Sequence, residues 1–148
     1  MDTTQNLDII LVEDDVDDAE LTIRALRKNK MSSNLVHLKN GKEALDFIFG
    51  QGEYTGRSLN NNPRLILLDL KMPKVNGLEV LKIIKSDERT KPIPVIVLTS
   101  SKESPDLEAC YALGVNSYIV KPIEFEVFFN TVKQIGFYWL SLNNLPLQ

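Results

Sequence analysis

Four short stretches of the chain end in residues that can hold or transfer charge. Leu7 to Val12 runs into Glu13, Asp14 and Asp15; Leu65 to Leu68 into Asp69; Pro94 to Leu98 into Thr99, Ser100 and Ser101; and Tyr118 to Val120 into Lys121. If these stretches lie side by side and point the same way, their ends form a cluster of three carboxylates, a hydroxyl and an ammonium. Carboxylates that close repel one another, and a hard divalent cation bound through oxygen, magnesium or manganese with several waters kept, resolves the repulsion. Such an ion offers open positions to a phosphoryl group. Asp69 is then a candidate nucleophile that would carry the group as an acyl phosphate, while Lys121 and the Thr99 hydroxyl neutralise or hydrogen-bond its oxygens. Taken singly these residues are weak signals, because an Asp after a strand usually caps a turn or helix and a Thr or Lys there is usually solvated.

The elements needed to bring the four ends together are legible in the hydropathy pattern. The run Leu65-Ile66-Leu67-Leu68 has no polar alternation, which suits a strand buried on both faces of a parallel sheet. Leu7 to Val12 and Pro94 to Leu98 read the same way, with Leu35 to Leu38 and Tyr118 to Val120 as weaker strands. Between them lie helical patterns: Asp17 to about Asn29 with Ala19, Ile23 and Leu26 on one face; Gly41 to Phe49 with Ala44, Leu45 and Ile48; Gly77 to about Lys85 with Leu78, Leu81 and Ile84. Ser104 with Pro105 predicts an N-cap and first turn, leading a helix to Gly114 with Leu107, Cys110 and Tyr111 on one face. Glu124 to Trp139 carries Phe125, Phe128, Val132, Ile135 and Trp139 at steps of three and four. Strand and helix alternate five times, so the expected fold is an α/β, flavodoxin-like doubly wound sandwich with a five-stranded parallel sheet. In such sheets the carboxyl ends of the strands form the functional rim.

Composition narrows the function classes. The chain has 148 residues, the size of one domain, with a core expected over about 7–140 and a short tail at 141–148. A net charge of -3 argues against a nucleic-acid surface. Cys110, the single cysteine, excludes an internal disulfide and any multi-cysteine metal site, and reads as a small buried residue. His37, the single histidine, sits between Val36 and Leu38 and reads as an ordinary strand residue. No apolar run approaches the ~20 residues needed to span a bilayer, and Met1 to Asn6 lacks the basic-then-apolar design of a secretion signal. The expectation is a cytoplasmic protein without nucleic-acid or membrane partners. The Gly50 to Pro63 stretch reads as a loop, and Pro73 to Gly77 as a turn.

In combination and in this order the rim residues are specific. Leu11-Val12-Glu13-Asp14, Leu67-Leu68-Asp69-Leu70-Lys71-Met72-Pro73, Asn76-Gly77, Val97-Leu98-Thr99-Ser100 and Tyr118-Ile119-Val120-Lys121-Pro122 resemble the motif blocks of the receiver domain of two-component response regulators. The resemblance implies that Asp69 is the phosphoacceptor and that a sensor histidine kinase is the donor. It implies a magnesium or manganese site from Asp14, Asp69, the backbone carbonyl of Lys71 and Glu13, the last through an intervening water. It further implies that Thr99 and Lys121 contact the phosphoryl group, that Thr99 and Tyr118 form the switch pair, and that the Lys121–Pro122 bond is cis. On this reading, replacing Lys121 should block the response and leave folding intact. Asp15 has no role in the family pattern. A narrower resemblance, carried by Gln51-Gly52-Glu53-Tyr54, the loop before Pro63 and Phe137-Tyr138-Trp139-Leu140, is to the stand-alone response regulators of cyanobacterial and bacterial phytochromes.

Other readings share parts of this pattern. A magnesium-dependent phosphohydrolase could use Asp69 as nucleophile, but those resembling the haloacid dehalogenases place a second acid two positions on, where this chain has Lys71. A flavodoxin-like cofactor binder would meet Glu13 and Asp14 where a phosphate loop needs amides and hydroxyls, and no glycine-rich cradle occurs. A receiver-like interaction module that no longer switches is argued against by the complete set Glu13, Asp14, Asp69, Thr99 and Lys121. The expected protein is therefore a phosphoacceptor and not an enzyme, and its output must act by contact, since few residues follow the last helix. Six of the eleven aromatics lie between Phe125 and Trp139. Phe129, Phe137, Tyr138 and Leu140 fall off the core stripe or beside it and predict a homodimer interface on the last helix and tail.

Overall fold

The aliphatic runs Ile9–Val12 (β1), Leu65–Leu68 (β3) and Val95–Thr99 (β4) are buried along their whole lengths, as side chains on both faces of a covered parallel sheet must be. The computed structural model describes residues 7–28, 34–57, 62–72 and 74–145. Leu35–Leu38 (β2) and Ser117–Val120 (β5) are the less buried strands, and they stand at the two edges of one sheet ordered β2-β1-β3-β4-β5. Every pairing is parallel, with Ile9 to Val12 in register with Leu65 to Leu68, and Val97 opposite both Leu68 and Tyr118. The helices are α1 (Val16–Lys28), α2 (Gly41–Phe49), α3 (Gly77–Ser86), α4 (Ser104–Ala112) and α5 (Phe125–Gly136). The five-stranded doubly wound architecture expected from the sequence is therefore present.

Alternation along each strand divides the core into two layers. Ile10, Val12, Ile66, Leu68, Val95 and Val97 pack with Ala44 and Ile48 of α2, Val80, Leu81 and Ile84 of α3, and Cys110 of α4. Ile9, Leu11, Leu65, Leu67, Ile96 and Leu98 pack with Ala19, Ala25 and Leu26 of α1 and Phe128, Val132 and Ile135 of α5. Each fully buried aliphatic side chain contributes about 1.5–3 kcal/mol, so the sheet is a rigid platform for whatever sits at its rim. Among the described residues no helix is long and apolar enough to cross a membrane.

Local chemistry sets the helix starts. Asn40 and Asn76 cap α2 and α3, their side-chain oxygens accepting from Glu43 N and Glu79 N. Gly50 closes α2 in the left-handed region at φ 64°. The β3–α3 turn passes through Lys74 at φ 66°, a conformation that costs a non-glycine residue about 1–2 kcal/mol.

Several local expectations need correction. Ser104 is not a cap: Glu103 holds that position without a side-chain bond, and the hydroxyl cluster ahead of α4 is organised by Ser101 instead. Of the expected α4 face, only Cys110 is buried, packed into the layer of α2 and α3, while Leu107 and Tyr111 are exposed. The Gly50 to Pro63 loop contains a 3-10 turn at Gly52–Tyr54, with the Tyr54 ring edge-on to Phe47 at 5.0 Å. Phe125, assigned to the core stripe, is exposed and pairs with Phe129 at 6.1 Å.

The last helix ends differently from an uninterrupted α pattern. Beyond Gly136 the chain continues as a π-helical segment, Phe137–Leu142, with Asn143 N donating to Tyr138 O at 2.7 Å. Spacing of five in place of four sets Leu140 over Ile135, so Leu140, expected on the outer face, joins the core instead. Phe129 is likewise half-buried against that core, whereas Phe137 and Tyr138 are 50% and 49% exposed. Of the four residues assigned to an outer face, two are on it. The expected end of α1 near Asn29, Pro73 of the β3–α3 turn and the last three residues of the tail lie outside the described residues.

Candidate functional site

Parallel register delivers the ends of β1, β3, β4 and β5 to one edge. There the carboxylates of Glu13, Asp14 and Asp69 each place an oxygen within 4.8 Å of the others. Glu13 and Asp69 are buried and Asp14 is exposed. The Asp69 carboxylate is oriented by its own turn, Oδ1 accepting from Leu70 N at 2.8 Å. The turn is pinned from behind: Gly77 N donates to Leu70 O at 2.9 Å, and a Cβ on Gly77 would overlap the Asp69 carbonyl oxygen. Only glycine lets α3 begin against the residue that carries the central acid. On the other side, Glu13 Oε2 accepts from Asp15 N, and Glu13 O lies 2.8 Å from His37 Nε2. Asp15 has a structural role: Oδ1 accepts from Asp18 N, capping α1.

Lys121 is the cation of the cluster, and its side chain is only 9% exposed. Its ammonium donates to Glu13 Oε1 at 2.7 Å and to Asp18 Oδ2 at 2.8 Å, with Asp69 Oδ2 at 3.6 Å. Burial opposes the charged form of Lys121, but the hydrogen bonds to Asp18 and Glu13 more than offset this and raise its pKa. Burial also pushes the Glu13 carboxyl up to about 7, against the pull of Lys121. The causes differ: anionic partners hold the proton on Lys121, whereas at Glu13 desolvation, with the charge of Asp69 added to it, outweighs the attraction of Lys121. Asp18, on the first turn of α1, was not among the groups assigned to the rim from the sequence. Its position on the inward side of that turn was the available signal.

Thr99 is fully buried at the end of β4, and Lys121 N donates to Thr99 O at 2.7 Å. Its hydroxyl accepts from Ser101 N at 3.4 Å. Ser101 in turn gathers its neighbours: its Oγ donates to Asp106 Oδ2 at 2.5 Å, and its backbone oxygen accepts from the Tyr118 hydroxyl at 2.9 Å. The hydrogen bond from Ser101, aided by Lys71 3.4 Å away, holds the Asp106 carboxyl below its usual value. The Lys71 side chain thus points to α4, and Lys71 shares with Asp14, Asn76 and Asp106 an open groove of about 410 Å³ beside the acids. Asp106 was not singled out by sequence, and Ser101 reads there only as one of the hydroxyls following β4, because a hydroxyl two residues past a strand has no distinctive spacing. Among the described residues no peptide bond is cis, so the Lys121–Pro122 bond is trans, contrary to expectation. Trans is the lower-energy isomer even before proline, by about 0.5–1 kcal/mol.

The chain matches the description of the response regulator receiver domain over residues 9–133. It is a receiver domain. Among its relatives, the probable methanogenesis regulatory protein FilR2 of Methanothrix harundinacea is 46% identical over 93% of this chain and 86% of its own length. Response regulator Rcp1 of Synechocystis is 40% identical over 93% of this chain and 92% of its own. The crystal structure of Rcp1 in its Mn(2+)-bound form superposes with a TM-score of 0.87, covering 94% of this receiver and 98% of that chain. That of the phosphorylated cyanobacterial phytochrome response regulator RcpA gives 0.88 at 40% identity, covering 97% and 100%. The receiver is thus related to the phytochrome response regulators, a class of signalling proteins. Receiver domains bind magnesium or manganese at an acidic pocket, and this one presents an all-oxygen donor set of suitable spacing, with neither nitrogen nor sulfur among the three.

Proposed function

We infer that this protein is a response regulator switched by a phosphoryl group on Asp69. The observation that carries the reading is the setting of that carboxylate, buried with oxygens of Glu13 and Asp14 within 4.8 Å and the Lys121 ammonium 3.6 Å away. Glu13, Asp14, Asp69 and the Lys71 carbonyl would hold magnesium or manganese, which when bound supplies charge neutralisation at the phosphoryl oxygens. The Asp69 oxygen bonds to phosphorus as the P–N bond of a phosphohistidine breaks and its electron pair returns to the imidazole. Lys121 screens the incoming charge. Transfer is positioning and electrostatics, and the receiver turns over no substrate of its own.

The Thr99 hydroxyl then has a stronger partner in the phosphoryl group than in Ser101 N. Its movement pulls on a loop whose Ser101 also holds Tyr118 and Asp106, so one rotation biases the position of the Tyr118 ring and the start of α4. Val16 at the start of α1 and Ile123 after β5, 77% and 95% exposed, follow strands that end at the rim and offer apolar contacts to a docking cytoplasmic histidine kinase. Relatedness to Rcp1 and RcpA favours a phytochrome-type kinase as that donor. A phosphotransfer profile against the histidine kinases of the source organism tests this: a phytochrome-type kinase should label the receiver fastest, and preferential labelling by a kinase of another class would refute the pathway.

Output is by contact, with a second copy as the partner. Phe137, Tyr138 and Leu142 are exposed on the π-helical segment, at the opposite edge of the sheet from the rim. Replacing Phe137 and Tyr138 together by Glu should raise the dimer dissociation constant at least tenfold, about 1.4 kcal/mol. Sedimentation equilibrium reads the result, and a wild-type monomer in both phosphorylation states would remove the interface.

A further inference from the structure

Lys121 serves more anions than phosphoryl transfer asks of it. At 2.7 Å and 2.8 Å its contacts to Glu13 and Asp18 are hydrogen bonds, whereas the 3.6 Å to Asp69 Oδ2 is too long for one. Asp18 lies outside the trio whose oxygens converge, so metal binding does not account for it. Helix capping does not account for it either, because its N–H is satisfied by Asp15 Oδ1 and its carbonyl accepts from Thr22 Oγ1. Those two bonds fix the residue on the first turn of α1, leaving the carboxylate with one evident task.

That task follows from what the ammonium would do without it. Asp69 Oδ1 is occupied by Leu70 N–H, and Oδ2, the oxygen facing Lys121, is the freer to bond phosphorus. A cation free to close the gap would form a charge-assisted hydrogen bond to Oδ2 and draw off the lone pair that must attack. Glu13 alone is a poor tether, because it shares its carboxylate with the acidic trio. We propose that Asp18 is a positioning residue that, with Glu13, grips the Lys121 ammonium and holds it short of Asp69, its third N–H facing the space a phosphoryl oxygen fills. The proposal rests on the reading of Asp69 as acceptor.

Two measurements on the full chain decide it. With acetyl phosphate and saturating magnesium, Asp18→Ala should label on the order of tenfold more slowly than wild type, as loss of an outer-shell partner does. Asp18→Asn, which keeps the side-chain shape and removes the charge, should show the same deficit. Lys121→Met labels slowly by itself, and adding Asp18→Ala to it should change the rate less than about twofold, since nothing remains to be held. Independently of labelling, nitrogen-15 NMR should find the Lys121 ammonium protons exchanging slowly in wild type and fast in Asp18→Ala. Wild-type labelling by the Asp18 variants, a full deficit persisting in the Lys121→Met background, or retained protection of the ammonium each overturns the proposal. If wild type takes no label, the acceptor reading fails, and the NMR comparison still decides whether Asp18 holds Lys121.

Discussion

Asp69→Asn should abolish labelling by acetyl phosphate or phosphoramidate in the presence of magnesium, with intact mass showing at least a hundredfold less phosphoprotein than wild type. The amide is no nucleophile, and it withdraws one of the three anionic oxygens that converge at the rim. Its shape is preserved, and the amide oxygen can still accept from Leu70 N, the bond that orients the native side chain. The fold should therefore persist, and relief of repulsion against Glu13 should leave the metal-free variant as stable as wild type or about 1 kcal/mol more so in urea. Glu13 is sequestered by Lys121 and Asp14 is solvent-facing, so neither offers an equivalent second acceptor. Equal labelling of wild type and variant would end the assignment of Asp69.

Lys121→Met should lower the stability of the metal-free protein by about 3 kcal/mol, the low end of what breaking a buried ion pair costs. This departs from the expectation raised by sequence, that the residue could be removed without harm to folding. The revision comes from burial: the side chain is 9% exposed and compensates Glu13, Asp18 and Asp69 together. Since burial pushes the Glu13 carboxyl up to about 7 from its ordinary 4.5, its ionisation costs stability as pH rises between those values. Loss of the ammonium enlarges that penalty. The deficit of the variant should accordingly be small at pH 5 and large at pH 8, and magnesium should shrink it by supplying the missing positive charge. Urea titrations at the two pH values, with and without magnesium, read this directly; a variant as stable as wild type at pH 8 without metal would show that Lys121 carries no structural load.

The two results would be distinct. Asp69→Asn removes the proposed phosphoacceptor and should spare the scaffold, whereas Lys121→Met should damage the scaffold and the proposed chemistry together. A receiver domain that holds Lys121 between Glu13 and Asp18 gains a well-placed ammonium at the cost of making its stability depend on that cation.

What the chain's sequence determined by itself was the set of groups that meet and the order of the elements that carry them. Unalternating runs such as Leu65 to Leu68 suit a doubly covered strand, and five strand–helix repeats admit few topologies, so Glu13, Asp14, Asp69, Thr99 and Lys121 were expected at one rim. Helix starts were less legible: Ser104 reads as a cap and is not one, whereas the Asn40 and Asn76 caps emerged only with the fold. What only the tertiary structure decided was where long or ambiguous side chains turn. Asp18 could serve the helix dipole or reach across to β5, and Lys121 lies 103 positions from it in sequence, a pairing that no local pattern encodes. Leu140 looked like an outer-face residue until the change from α to π winding carried it inward, and Phe125 looked like core until α5 set its axis against α1 and left the ring outside. Periodicity reports a face only while the helix keeps one winding, and charge finds its partner only once the chain has closed.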